Sequence, residues 1–157
     1  MLTLSQSLVL YCEYGLRTGD NAFVFMLTGC CCRMARLLRL DMERSENPED
    51  LSPGEITKQE SCRRLMWSCY ILDSFVGAGV EENLCWVEGA PEIPLPSGDT
   101  SFLNQTQTSR VFLEVDRNLL NPLGTDTDIR GQIVRIMYLR TQVLRSVFPS
   151  MIHGQVC

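Results

Sequence analysis

Cysteine is the residue type in this sequence with the most evident chemistry, since eight cysteines and a single histidine lie in 157 residues. A structural zinc ion requires four thiolate or imidazole ligands, usually supplied in pairs spaced as C-x-x-C. Three cysteines are consecutive at positions 30–32, and consecutive helical residues point about 100° apart. Cys62 and Cys69 share a helix face but lie about 10 Å apart along it. We therefore expect free, mostly buried thiols, with no metal and no cofactor in this chain.

The other polar residues do not form a recognisable catalytic pattern. The sequence has no glycine-rich phosphate loop, no G-x-S-x-G nucleophile elbow and no H-E-x-x-H motif. A cysteine–histidine pair would have to use His153, which has no orienting residue near it in the sequence. Asp126 and Asp128 are better explained by the start of a helix than by metal binding. We predict that the protein is not an enzyme; a small helical enzyme is the alternative, and it would require a polar pocket.

The charge balance argues against nucleic acid as a direct partner. The chain has 14 basic and 19 acidic residues, a net charge of −5, whereas nucleic-acid-binding domains carry an excess of basic residues. Arg33, Arg36 and Arg39 fall in one sector of a predicted helix, which we interpret as a solvated face. No apolar run approaches the roughly 18 residues of a membrane span, and no secretory signal is evident. We expect no direct contact with DNA, no membrane association and a reducing compartment.

Hydrophobic periodicity predicts four major helices, over about residues 5–17, 21–40, 53–76 and 126–147, and a short one over 110–120. This content indicates an all-α fold, an antiparallel helix bundle or stack. The predicted buried positions are Leu8, Val9, Tyr11, Cys12 and Leu16 in the first helix; Phe23, Met26, Leu27, Cys30, Cys31, Met34, Leu37 and Leu38 in the second; Leu65, Met66, Cys69, Tyr70, Leu72 and Val76 in the third; and Ile129, Ile133, Ile136, Met137, Leu139, Val143, Leu144 and Val147 in the last.

Polar residues mark where these helices begin. Asp20 can cap the second helix, and Ser52-Pro53-Gly-Glu55 is a complete capping box at the start of the third. Residues 77–109, here called the arm, contain three prolines and no helical period, so we predict a long ordered loop between the third and last major helices. Thr125 and Asp128 form a second capping box before the last helix.

The third helix and the arm carry a recognisable combination of residues. The helix reads Glu60-Ser-Cys-Arg63-Arg64-Leu-Met-Trp67-Ser-Cys-Tyr70-Ile-Leu-Asp73, and the arm contains Glu92-Ile-Pro94-Leu-Pro96. This combination resembles the fungal-specific transcription factor domain, the regulatory "middle homology" domain of fungal zinc-cluster activators. The resemblance covers residues 3–147 and is strongest over 52–97. Ser74 departs from the family pattern, which usually has arginine after the helix aspartate.

The resemblance implies transcription regulation in a fungal nucleus, through protein partners (a second copy or co-regulators) or a small effector. Zinc and DNA contact would belong to a six-cysteine module whose spacing these residues do not contain. We expect residues 1–109 to be a partial copy of the domain and residues 110–157 a helical extension packed on it. The alternative is a helical scaffold or dimerisation module without a direct transcriptional role.

The signature residues are expected to have structural roles. Trp67 and Tyr70 supply large apolar area for a helix-bundle core. Pro94 and Pro96 hold the arm extended. The remaining members, Arg63, Arg64 and Asp73, would attach the arm through charge-assisted hydrogen bonds, so that Arg63→Ala or Asp73→Ala loosens it.

Overall fold

The computed structural model describes residues 1–42, 51–87, 89–106, 110–113 and 129–147. These ranges contain five α-helices and no β-strand, which confirms the all-α class. The helices are α1 (Leu2–Thr18), α2 (Asn21–Leu37), α3 (Pro53–Gly77), α4 (Asp99–Leu103) and α5 (Ile129–Val147), with one 3₁₀ turn at Glu81–Asn83. No described helix is both long enough and apolar enough to cross a membrane.

The predicted helix starts are present. The Asp20 side chain accepts a hydrogen bond from the backbone of Phe23 and caps α2. At α3, the backbone N–H of Ser52 donates to the Glu55 carboxylate at 2.9 Å, as the capping box requires. The second capping box, at Thr125 and Asp128, lies outside the described residues.

Helices α1 and α2 form a tight hairpin whose contact surface is lined by small residues. Gly15 faces Val24 so closely that an added Cβ would lie 2.5 Å from its side chain. One turn away, the sulfurs of Cys12 and Cys31 are 4.0 Å apart. Thr28 also lies in this contact and donates to Cys12. Small side chains let the two backbones approach closely, and this approach determines which faces are buried.

That approach overturns half of the predicted buried face of α2. Its buried residues are Val24, Thr28, Cys31, Cys32 and Ala35. Of the eight predicted positions, Cys31 is buried and Leu27, Met34 and Leu38 are half-buried, whereas Phe23, Met26, Cys30 and Leu37 are exposed. In α1, Val9 and Cys12 are buried as predicted, but Tyr11 is exposed. Large apolar residues make up most of the predicted faces, whereas the helices meet through small ones.

Helix α3 is the centre of the core and contacts α1, α2 and α5. Five of the six predicted buried positions are buried, and Val76 is half-buried. The core also includes Trp67 and two arm residues, Ile93 and Leu95. The arm is therefore an integral part of the domain's hydrophobic core.

Helix α5 packs on α3 with a face different from the predicted one. Its buried residues are Gly131, Val134, Tyr138 and Thr141. Most of the predicted apolar set is exposed, at Ile129, Ile133, Ile136, Leu139, Val143 and Val147. A Cβ added to Gly79 would lie 2.4 Å from Leu144, so the arm approaches α5 too closely for a larger residue. Gly79 also has a φ of +83°, which favours glycine.

The arm is more structured than the sequence predicted. It contains the 3₁₀ turn and α4, and Pro94 forms an isolated antiparallel bridge with Phe112. Leu95 donates to the carbonyl of Val111 across this bridge at 2.6 Å. The predicted helix over 110–120 is therefore wrong for residues 110–113, which are extended, and its remainder lies outside the described residues.

Candidate functional site

One face of α3 holds the arm, and Trp67 is at the centre of that face. Its indole N–H donates to the carbonyl oxygen of Pro94 at 2.7 Å, and both residues are fully buried. Pro96 is also buried. Since proline lacks a backbone N–H, this segment has few donors to satisfy and can lie extended against the helix.

Tyr70 and Trp86 extend the contact of Trp67 with the arm. Tyr70 meets Trp67 edge-on, with ring centroids 5.5 Å apart, and meets Trp86 of the arm at 6.4 Å. Burial raises the pKa of Tyr70 to about 12, so the phenol is neutral at physiological pH. Arg36 of α2 stacks over the outer face of Trp86 and donates to the Cys85 carbonyl.

Asp73 is the second attachment point. It is buried, and its carboxylate accepts hydrogen bonds from the backbone N–H groups of Cys85 and Trp86 at 2.9 and 3.2 Å. The thiol of Cys32 lies 3.8 Å from the same carboxylate. These charge-assisted bonds satisfy two backbone donors where the arm leaves the 3₁₀ turn.

A third attachment is made by Glu60 and Arg64. The Glu60 carboxylate, 5% exposed, accepts from Ser97 N at 2.9 Å and from Arg64 Nε at 3.0 Å. Arg64 in turn donates to the carbonyl of Ser97 and to Asp99, both in the arm. Arg63 donates to Glu60 at 2.6 Å. The Glu60–Arg64 ion pair within α3 therefore also holds the arm.

Arginines of α5 hold the arm from the other side. Arg130 pairs with Asp99, while Arg145 donates to the carbonyl of Val87 at 2.8 Å. Arg140 donates to the carbonyl of Ser74 and stacks over Phe75 at the end of α3. Hydrogen bonds from Arg130 and Arg64 lower the pKa of the exposed Asp99 carboxyl.

A cavity of about 220 Å³ lies between the end of α2 and the start of α3. Its wall is partly apolar, and three cationic side chains and the acidic residue Glu55 border it. The lining includes Leu38, Leu40, Ile93, Arg39, Lys58 and Arg63.

The structure brings the predicted signature residues together around the arm, with Trp67, Asp73 and Arg64 as direct attachment points. The arm contacts of Arg36, Arg130 and Arg145, and the role of Asp99 as an acceptor in the arm, were not predicted. Arg33, Arg36 and Arg39 are exposed, as the prediction of a solvated face requires, but Arg36 also stacks over Trp86 of the arm. The functional roles assigned to the signature residues stay predictions.

Comparison with known proteins identifies a relative and a family. A 32% identical relative over 89 residues is the "Zn(2)-C6 fungal-type transcription factor FTF1c" of Fusarium oxysporum f. sp. lycopersici; the match covers 54% of this chain and 9% of that protein. No solved structure matches. The family model described as the fungal specific transcription factor domain matches residues 1–155. The chain therefore belongs to the fungal specific transcription factor domain family.

Proposed function

We propose that this chain regulates transcription in the nucleus, as the regulatory part of a zinc-cluster-type factor. This part would not itself contact DNA. The observation that carries the proposal is the family match over nearly the whole chain. The acidic balance, with a net charge of −5, supports a role other than phosphate binding. The six-cysteine zinc cluster and the DNA contact would then belong to a separate module, whose cysteine spacing these residues lack.

Protein contacts are the proposed mode of action. The outer faces of α1 and α2 expose large apolar side chains, which in soluble domains mark interaction sites. Those on α1 are Leu4, Leu10, Tyr11 and Tyr14, and those on α2 are Phe25, Met26 and Leu37.

A small effector is the second proposed mode of action. The cavity beside α3 combines an apolar wall with Arg39, Lys58, Arg63 and one acidic residue, Glu55. With three cationic side chains against one carboxylate, the lining suits a small organic acid with an apolar body. Because Ile93 of the arm lines the cavity, a ligand bound there would contact the arm. A thermal-shift screen of carboxylic acids, with Lys58→Gln as the comparison variant, would test this mode.

A dimerisation module without a direct transcriptional role is the alternative function, and α5 provides the observation that favours it. Ile129, Ile136 and Val143 are exposed and spaced by seven residues, as in a coiled-coil seam. A dimer in sedimentation experiments that Ile136→Glu dissociates, combined with no transcriptional effect, would support this alternative over the proposal.

The decisive experiment tethers the chain to an unrelated DNA-binding module in a fungal cell that carries a matching reporter gene. We expect reporter output to differ several-fold from that of the DNA-binding module alone. The double variant Leu10→Ser/Tyr14→Ser should lose the effect, whereas Gln6→Ala, on the same helix, should keep it. Unchanged output from a fusion shown by imaging to be folded and nuclear would contradict the proposal.

A further inference from the structure

Three potential metal ligands from three separate parts of the chain converge beside the arm. They are the sulfur of Cys32 in α2, the carboxylate of Asp73 in α3 and the sulfur of Cys85 in the arm, and these atoms all lie within 4.8 Å of one another. We propose that this cluster binds a thiophilic d¹⁰ cation, with Zn²⁺ as the representative ion. The inference departs from the sequence expectation that the cysteines hold no metal.

The spacing is close to what tetrahedral coordination needs. With Zn–S distances of about 2.3 Å and Zn–O distances of about 2.0 Å, ligand atoms in a tetrahedral site lie roughly 3.5–3.8 Å apart. The Cys32 sulfur is 3.8 Å from an oxygen of Asp73. Adjustment of each side chain by less than about an ångström would therefore complete the site. Three protein ligands leave a fourth position for water, as in open zinc sites.

Surrounding hydrogen bonds already orient two of the ligands. The Asp73 carboxylate is held by the backbone N–H groups of Cys85 and Trp86, and it retains lone pairs for a metal ion. The carbonyl of Cys85 accepts from Arg36, which fixes the backbone that carries the second sulfur. Such outer contacts raise the affinity of a metal site because the ligands do not have to be ordered on binding.

The charges of the cluster suit a divalent cation. A bound ion would stabilise the thiolates of Cys32 and Cys85 beside the Asp73 carboxylate. With Arg36 bonded to the Cys85 carbonyl, three positive charges would then balance three negative ones.

Binding would connect three elements that otherwise meet through side-chain packing and hydrogen bonds. Cys32 and Asp73 are buried, while Cys85 is half-buried and leaves a route to solvent. An ion held there would join the arm to both α2 and α3, so metal binding would stabilise the attached state of the arm.

The test uses the full purified chain, reduced and treated with chelator. Zn²⁺ is titrated in competition with a chromophoric chelator, and Cd²⁺ is titrated while the thiolate-to-metal charge-transfer band is recorded. We expect one equivalent of each ion to bind and the band intensity to report two thiolates. Zn²⁺ should also raise the thermal midpoint.

Cys85→Ser is the discriminating variant, because it retains the backbone N–H that bonds Asp73. It should weaken Zn²⁺ binding by more than about tenfold and abolish the thermal shift. Cys30→Ser, at an exposed position on α2, and Cys62→Ser, at a half-buried position on α3, should bind as the wild type does. Circular dichroism verifies the fold of each variant.

Several results would overturn the proposal. One is a folded, reduced wild type that takes up no stoichiometric Zn²⁺; another is equal affinity in Cys85→Ser and Cys30→Ser. A Cd²⁺ band that reports three or four thiolates would assign the metal to other cysteines, even if Cys85→Ser failed to fold. A Cys32–Cys85 disulfide found by mass spectrometry, with no metal bound after its reduction, would make the pair a redox site instead.

Discussion

The indole N–H of Trp67 and the carbonyl oxygen of Pro94 are 2.7 Å apart, and both residues are buried, 27 positions apart in the chain. A proline carbonyl inside a protein must find a donor, and this indole is the donor described for it. The bond therefore satisfies a buried polar group on each side and attaches the extended part of the arm to the centre of α3.

Replacement of Trp67 by phenylalanine tests that bond. The ring keeps much of its apolar contact, but the Pro94 carbonyl loses its donor and a small void forms. We expect a loss of about 2–4 kcal/mol in the free energy of unfolding, measured by urea denaturation. Trp86→Phe is the matched control, and its cost should be smaller because Trp86 is only half-buried. Equal losses in the two variants would contradict this role of the bond.

Asp73→Asn should loosen the part of the arm that follows the 3₁₀ turn. Asparagine loses the charge and one of the two acceptor oxygens that hold the Cys85 and Trp86 backbones. Hydrogen exchange at those two amides should accelerate by about tenfold or more, which corresponds to roughly 1.4 kcal/mol. Glu82→Gln, at an exposed position in the turn, should leave both exchange rates unchanged. If the two amides of Asp73→Asn exchanged as slowly as in the wild type, the carboxylate would be excluded as the attachment point.

The two neighbouring arginines of α3 should differ. Arg64 donates to the Ser97 carbonyl and to Asp99, while the hydrogen bond described for Arg63 goes to Glu60 on the same helix. Limited proteolysis should therefore cut the arm near α4 several-fold faster in Arg64→Ala than in Arg63→Ala. Identical digestion of the two variants would show that Arg64 does not hold the arm. A loosened arm in Arg63→Ala as well would support the prediction that both arginines attach it.

The ion pairs of Asp99 predict a pH dependence. Hydrogen bonds from Arg130 and Arg64 lower the pKa of Asp99 in the folded state, so its contribution to stability is present above the unfolded value of about 3.9. That contribution is lost as the pH falls through the lower, folded pKa. The urea midpoint of Asp99→Asn should lie below that of the wild type at about pH 6, and the difference should vanish in strong acid. High salt should also reduce the difference between the two midpoints, since Asp99 is exposed. A difference that did not depend on pH or salt would exclude the ion pairs as its cause.

Gly79→Ala should destabilise the contact between the arm and α5. The new methyl group would lie 2.4 Å from Leu144, and alanine at a φ of +83° is strained. Together these effects should cost about 2–4 kcal/mol in the free energy of unfolding. Gly54→Ala, in the first turn of α3 with open space around it, should change stability by less than about 1 kcal/mol. A tolerated Gly79→Ala would mean that α5 can move away from the arm at little cost.

The local signals in the sequence predicted the helix boundaries well. The capping residues Asp20 and Ser52 lie within a few positions of the groups they bond, so the sequence alone contains the whole interaction. The burial of α3 was also predictable, because most of the apolar residues between Leu65 and Leu72 recur at helical spacing and are buried there.

The buried faces of α2 and α5 could not be obtained in the same way. Which face is buried depends on how closely two helices approach, and Gly15 and Val24 determine this only as a pair. The arm contacts have the same long-range character, since Asp73 and Cys85 meet only when the arm folds back along α3. The resemblance of the α3 motif to a family identified several attachment residues, but Arg36 lies outside that motif.

The positions of the two tryptophans allow the attachment of the arm to be followed by intrinsic fluorescence. Trp67 lies in the core of α3, Trp86 lies in the arm, and Tyr70 separates their rings. The single-tryptophan variant Trp86→Phe would keep the bond between Trp67 and Pro94 and leave Trp67 as the one emitter at this contact. A fluorescence titration with a candidate partner, effector or metal ion could then follow the arm without any added label.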